Sequence, residues 1–209
     1  YWNSVVITVL SLLAVMIFIP MAAYSIARNM SKRKAFTIMY TLLILGIFVP
    51  FQVIMIPITV MMSKLGLANT FGLILLYLTY AIPQTLFLYV GYIKISIPES
   101  LVEAAEIDGA GKVTRFFHIT LPQISPIIFF NLINQTIQAL QNFTSAQVIT
   151  EGGPLKSTYV LGLKLYKEGF SYFKMGYASA ISWGVFAAIM IFTLAIFASS
   201  KLWVHYADE

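Results

Sequence analysis

Apolar positions along this chain come in long unbroken runs. Stretches free of Asp, Glu, Lys and Arg fill 1–27, 35–63, 65–93 and 175–200, and a fifth, 116–150, is interrupted only by His118. An α-helix needs about 20 apolar residues to cross a hydrocarbon layer of about 30 Å, and every run reaches that length. Five such runs in succession do not suit the interior of a water-soluble domain. Helices that satisfy their own backbone can span lipid. The pattern predicts an all-α, polytopic transmembrane helical bundle. It forms one domain over residues 1–209, with spans at about 4–27, 35–62, 70–93, 123–149 and 175–199. Pro20, Pro50, Pro57 and Pro83 fall within the first three spans, as kinks in a packed bundle or as hinges.

Composition agrees with that picture. Of the 209 residues, 59% are apolar and 10% charged, against about 45–50% and about 25% in soluble domains. The mean hydropathy is +0.85. A net charge of +5 would permit a nucleic-acid partner, but Arg28, Lys32, Arg33 and Lys34 crowd into one short segment between two apolar runs. That is the cytoplasmic mark of the positive-inside rule, not a nucleic-acid face. With 28–34 inside, alternation puts 94–122 in the cytoplasm, 150–174 outside, and the tail from Lys201 inside. The other basic residues agree only in part, because Lys64, Lys156, Lys164, Lys167 and Lys174 fall outside.

Several chemistries drop out. Cysteine is absent, and His118 and His205 lack metal-ligand spacing, so no metal site and no catalytic residue is expected. Gly109-Ala110-Gly111-Lys112 is not a phosphate loop, because Glu106 stands where that loop needs glycine and Val113 where it needs Ser or Thr. Residue 1 is Tyr, and the first run lacks a basic flank and is too long for a signal-peptide core. A chain that begins partway through a longer one is the expectation.

The segment 94–122 holds the most information. Ser96 and Glu99, three apart with Pro98 between them, suggest a capping box. Gly109 is placed to end the helix in the left-handed conformation. Glu99, Glu103 and Glu106 follow i, i+4, i+7 and share one acidic stripe, while Ala104 and Ala105 would let another surface approach closely. A second helix over about 112–120 would present Phe116, Phe117 and Ile119 before Pro122 stops it. Two readings follow: a solvated hairpin joining two spans, or a docking surface for a partner.

Glu103-Ala104-Ala105, three residues, Gly109, nine residues, Ile119, one residue, Leu121-Pro122 meets all seven fixed positions of the EAA loop of binding-protein-dependent ABC importer permeases. The segment 21–28, the run Leu65–Thr70 and Gly152-Gly153-Pro154 resemble the carbohydrate branch, the maltose-permease-like subunits. That resemblance implies a type I ABC importer permease in a bacterial cytoplasmic membrane, with a coupling helix that sits in a cleft of a cytoplasmic ATPase. Glu103, Ala104, Ala105, Glu106, Asp108, Gly109, Ile119, Leu121 and Pro122 would make that coupling loop. It also implies a second homologous permease subunit, an ATPase dimer and an external sugar-binding protein. Cofactors would be none in this chain, with ATP and Mg bound by the ATPase subunits. Such subunits usually have six spans, so a first span is expected to precede residue 1. The tail Trp203-Val204-His205-Tyr206 is more similar to the partner of such pairs.

Within the fourth run, Asn131, Gln135, Gln138 and Asn142 recur at i, i+4, i+7, i+11 and would share one face of a helix. Uncharged amides both donate and accept, which suits a neutral, hydroxyl-rich substrate. Polar contacts between helices are the plainer alternative. An ion-coupled carrier is the rival function. It ordinarily needs ionisable groups inside the bundle, and the interiors of these spans contain none.

Overall fold

The structure is a computed structural model and describes residues 2–206. Its regular elements are helical throughout the described residues: α1 (Trp2–Asn29), α2 (Lys34–Leu45), α3 (Phe51–Lys64), α4 (Thr70–Ser96), α5 (Glu99–Ile107), α6 (Lys112–Arg115), α7 (Leu121–Gln123), α8 (Ser125–Gln141), α9 (Leu161–Tyr166) and α10 (Met175–Trp203). Five-residue π-helical turns follow α6 at Phe116–Thr120 and α9 at Lys167–Ser171, and another occupies Ala146–Thr150. α1, α4 and α10 are each long and apolar enough to cross a membrane. Counting Lys34–Phe48 with Phe51–Lys64 and Lys112–Gln123 with Ser125–Gln141 as bent spans raises the number to five.

Two expected spans are therefore broken. The run 35–62 turns sharply at Pro50, which has φ −65° and ψ 142° and precedes α3 as its N-cap. Proline has no N–H and drives the residue before it out of the α region. The carbonyl of Val49, released from the helical ladder, accepts the Tyr80 hydroxyl at 3.1 Å. Pro20, Pro57 and Pro83, by contrast, lie inside α1, α3 and α4. The expected span 123–149 is α8 followed by a break at Asn142–Phe143 and a π-helical turn.

The chain packs as two compact units. Among the described residues, the first comprises 2–15, 48–81 and 134–195. Its core is Ile7, Met62, Leu73, Leu76, Ala146, Ile149, Val160 and Leu163. The segment expected as an external loop thus supplies part of a core, and its buried Thr158 hydroxyl lies 2.6 Å from the Gly153 carbonyl oxygen. Asn69 Oδ1 accepts the Gly72 N–H at 3.1 Å at the start of α4. A β-carbon on Gly72 would stand 1.8 Å from the Leu67 carbonyl oxygen, so only glycine fits there. α10 is largely bare, with Trp183, Ile191 and Leu194 at 72%, 68% and 61% exposure. A uniformly apolar helix left so uncovered needs lipid or another apolar surface around it.

Among the described residues, the second unit comprises 16–47, 82–133 and 196–206. Ile19, Ala23, Ile26, Leu86, Tyr89, Val90, Ile93 and Ile97 are buried in it. Phe129 packs edge-on to Phe197 and Trp203, with ring centroids 5.0 Å and 6.1 Å away. The His205 N–H donates to Ser125 Oγ at 2.8 Å, which ties the tail to the start of α8. This unit carries the hairpin 94–122.

Candidate functional site

α5 has nine residues, and none of them is buried. A helix this short is marginal in water unless something packs on it, so its ends decide whether it persists. Its start is not the expected capping box. The Ile97 N–H still donates to Ile93 O at 3.2 Å, so α4 continues through Ser96 and that side chain does not cap α5. Pro98 takes the N-cap position instead, without a side-chain hydrogen bond. The end is as expected. Gly109 has φ +83°, its N–H donates to Glu106 O at 3.1 Å, and the Ala110 N–H donates to Ala105 O at 2.9 Å. Those two bonds are a Schellman closure, which satisfies carbonyls the helix end leaves open. No atom lies within 4 Å of a β-carbon placed on Gly109, so glycine is needed there for its conformation and not for space.

Beyond Gly111, α6, the π-helical turn and α7 follow without a gap from Lys112 to Gln123. The expected stop at Pro122 is displaced. Pro122 lies in α7, and the chain bends by 69° two residues later, at the end of that helix, where Ile124 adopts φ −89° and ψ 4°. Of the aromatic pair, Phe116 turns inward and meets Tyr24 edge-on at 5.4 Å, while Phe117 is 53% exposed. Ile119, Leu121 and Pro122 are half-buried.

Electrostatics divide the acidic stripe. Glu99 and Glu103 face solvent, as do Ala104, Asp108 and Gly109, and Ala105 is half-buried. Glu106 is tied: its Oε2 lies 2.6 Å from Nη1 of Arg115. The hydrogen bond from that guanidinium, followed by its charge, holds the Glu106 carboxyl below the usual glutamate range, with Lys32 and Lys112 adding to the effect. Arg115 has a side chain only 8% exposed, against 67% for Glu106. Sequence reasoning missed this pair, since nine positions match no single-helix spacing; only the turn at Gly109 brings the two arms together. It also missed Ile107 and Val113, 86% and 71% exposed. Like Phe117, these are apolar side chains left uncovered outside the apolar spans.

The amide face is less uniform than its spacing. Asn131 is buried, and its Nδ2 donates to the Ile127 carbonyl of its own helix at 2.9 Å. Asn142 falls past the end of α8, where its Oδ1 accepts the Ser145 hydroxyl at 3.1 Å. Gln135 is half-buried and Gln138 exposed. A cleft of about 770 Å³ also opens in the first unit among Asn3, Glu151, Lys156, Lys167 and Tyr172. Its Lys167 is already engaged, donating to the Glu151 carbonyl at 3.3 Å.

Long apolar helices, together with a polar hairpin strung between α4 and α8, define an integral, multi-pass membrane protein. Residues 17–209 match the family described as binding-protein-dependent transport system inner membrane component, and the chain belongs to that family. It is a permease of the ABC importer type. Among its relatives, the multiple sugar-binding transport system permease protein MsmG of Streptococcus mutans is 60% identical, over 78% of this chain and 67% of that protein. The probable ABC transporter permease protein YesP of Bacillus subtilis is 50% identical, over 54% of this chain and 38% of that protein. The chain thus spans about two-thirds of the length of the first of these relatives and under half of the second. The crystal structure of a bacterial ABC transporter involved in the import of the acidic polysaccharide alginate shares the fold. Its TM-score is 0.71 at 18% identity, over 95% of this chain and 77% of that one.

Proposed function

We propose that this chain forms half of the membrane path of an ATP-driven importer for a neutral carbohydrate, and that a separate cytoplasmic ATPase docks on the hairpin 99–122. One observation carries the reading: α5 is a nine-residue helix with no buried residue, yet both its closure and its Arg115 tie are fully formed. A surface held in shape but left uncovered fits a partner's cleft. Exposed Ile107, Val113 and Phe117 would supply apolar contact, and Glu99 and Glu103 a charge pattern for register. Small Ala104 would let the partner approach the helix backbone.

Closure of the ATPase would move the hairpin, and the hairpin would carry that motion into α4 and α8, between which it is strung. The second permease subunit, the ATPase dimer and the external sugar-binding protein belong to this proposal. So does the placement of 28–34 and 94–122 in the cytoplasm. Gln138 is the amide in the best position to line a wet path. The carbohydrate class rests on the amides and on the similarity to MsmG, a multiple sugar-binding transport system permease protein. Reconstitution of the chain with its partners in proteoliposomes tests the proposal. Labelled oligosaccharide should accumulate only with ATP inside and binding protein outside. Uptake driven by a sodium or proton gradient without ATP would refute it.

A further inference from the structure

Arg28 closes α1, in the basic segment whose charge first marked the cytoplasmic side. Charge alone does not describe its place. Both terminal guanidinium nitrogens reach the Ile97 carbonyl oxygen at 3.4 Å, a long forked contact, and the guanidinium carbon stands 5.8 Å from the Tyr24 ring centroid. Ile97 is buried and lies between the end of α4 and Pro98. Its carbonyl belongs to a helix C-terminus, where the last carbonyls lack partners and the helix dipole is negative, and Pro98 offers no N–H in return. A cation at that point meets both needs. One turn earlier on α1, Tyr24 touches Phe116 edge-on at 5.4 Å. Phe116 begins the π-helical turn on the outgoing arm of the hairpin. Two residues of one helical turn therefore hold the incoming and the outgoing arm of the same hairpin.

We infer that Arg28 and Tyr24 are positioning residues that fasten the coupling hairpin to α1, so that hairpin movement is transmitted to α1 as well as to the helices at its ends. The inference rests on the coupling role proposed above. Arginine suits the task better than lysine, since its planar fork reaches one oxygen with two N–H groups and also faces a ring. Loss of the fork leaves the hairpin its own closure at Gly109 and its tie at Glu106, so the docking surface should survive while transmission weakens.

The test is made on the full reconstituted complex, with Arg28→Gln, Arg28→Lys and Gly109→Val each measured for ATPase co-purification, ATP hydrolysis and labelled oligosaccharide uptake. Arg28→Gln is expected to keep wild-type co-purification and hydrolysis while uptake per ATP falls at least about fivefold, the low end of measured couplings between sites. Arg28→Lys should recover part of that loss, because the charge at the helix end returns. Unchanged uptake per ATP in Arg28→Gln overturns the inference, and so does loss of the ATPase from that variant, which would make Arg28 a docking or insertion residue. Gly109→Val separates the two levels. Normal co-purification there removes the coupling role and this inference with it. A lost ATPase there, beside unchanged Arg28→Gln uptake, removes the inference alone.

Discussion

Arg115 reaches back across the turn at Gly109 to hold Glu106 at 2.6 Å, and the two ends of that pair see different surroundings. The guanidinium is buried and the carboxylate is largely in water. Removing the carboxylate strands a desolvated cation, whereas removing the cation leaves a carboxylate that water can serve. Glu106→Ala should therefore lower the melting temperature of the detergent-purified chain more than Arg115→Met does. Equal shifts, or the reverse order, would show that the pair does not brace the hairpin.

The pair also sets a pH dependence. Glu106 is held below its usual range, so its contribution is fully present above the ordinary carboxylate range and is lost as pH falls through the lowered value. The melting-temperature difference between wild type and Glu106→Gln should stay constant between about pH 6 and about pH 8, where both states of the chain carry the ionised carboxylate. It should shrink only under more acidic conditions. A difference that changes across the neutral range would assign it to another group.

Glycine positions give a contrast in mechanism. Gly109 needs only its positive φ, because nothing lies within 4 Å of an added β-carbon. Gly109→Asn should be tolerated better than Gly109→Val, since asparagine enters the left-handed region readily, while a β-branched residue pays roughly 1–2 kcal/mol there. Gly72 has the opposite problem, a backbone oxygen 1.8 Å from the added atom. Gly72→Ala should fail to give folded protein by size-exclusion in detergent, and a well-behaved Gly72→Ala would mean that the turn at Leu67 is looser than it stands.

Much of the architecture was legible in the sequence because lipid imposes a crude rule. Long uncharged runs marked every apolar helix, and Gly109 announced its own left-handed turn. What escaped was set by neighbours. Pro50 breaks its run while Pro20, Pro57 and Pro83 do not, and the four look alike in a hydropathy pattern. Ser96 looked like a cap because helix α4 could not be seen to run through it. The amide spacing assumed one continuous helix, and the break at Asn142 removes its last member. Arg28 entered only as a charge and Arg115 not at all, because their directional hydrogen bonds depend on which arms the turns bring together.

Orientation has its own check. Single cysteines introduced at Lys32 and at Lys156 should react with an impermeant thiol reagent from opposite faces of sealed vesicles, as a cytoplasmic 28–34 and an external 150–174 require. The absence of native cysteine makes the background clean. Labelling of both from one face would end the five-span arrangement.

The central claim is that the hairpin 99–122 is where the ATPase docks, and that docking is separable from substrate passage. Its most direct measurement is co-purification of the ATPase with Gly109→Val, Glu103→Lys and Gln138→Ala, each paired with oligosaccharide uptake. Gly109→Val re-aims the outgoing arm, and Glu103→Lys reverses an exposed member of the acidic stripe, so both should lose the ATPase and uptake together while still inserting in the membrane. Gln138→Ala should keep the ATPase and alter uptake or its selectivity. Normal co-purification and normal uptake with Gly109→Val and Glu103→Lys would contradict the account and leave the hairpin as a linker between two helices.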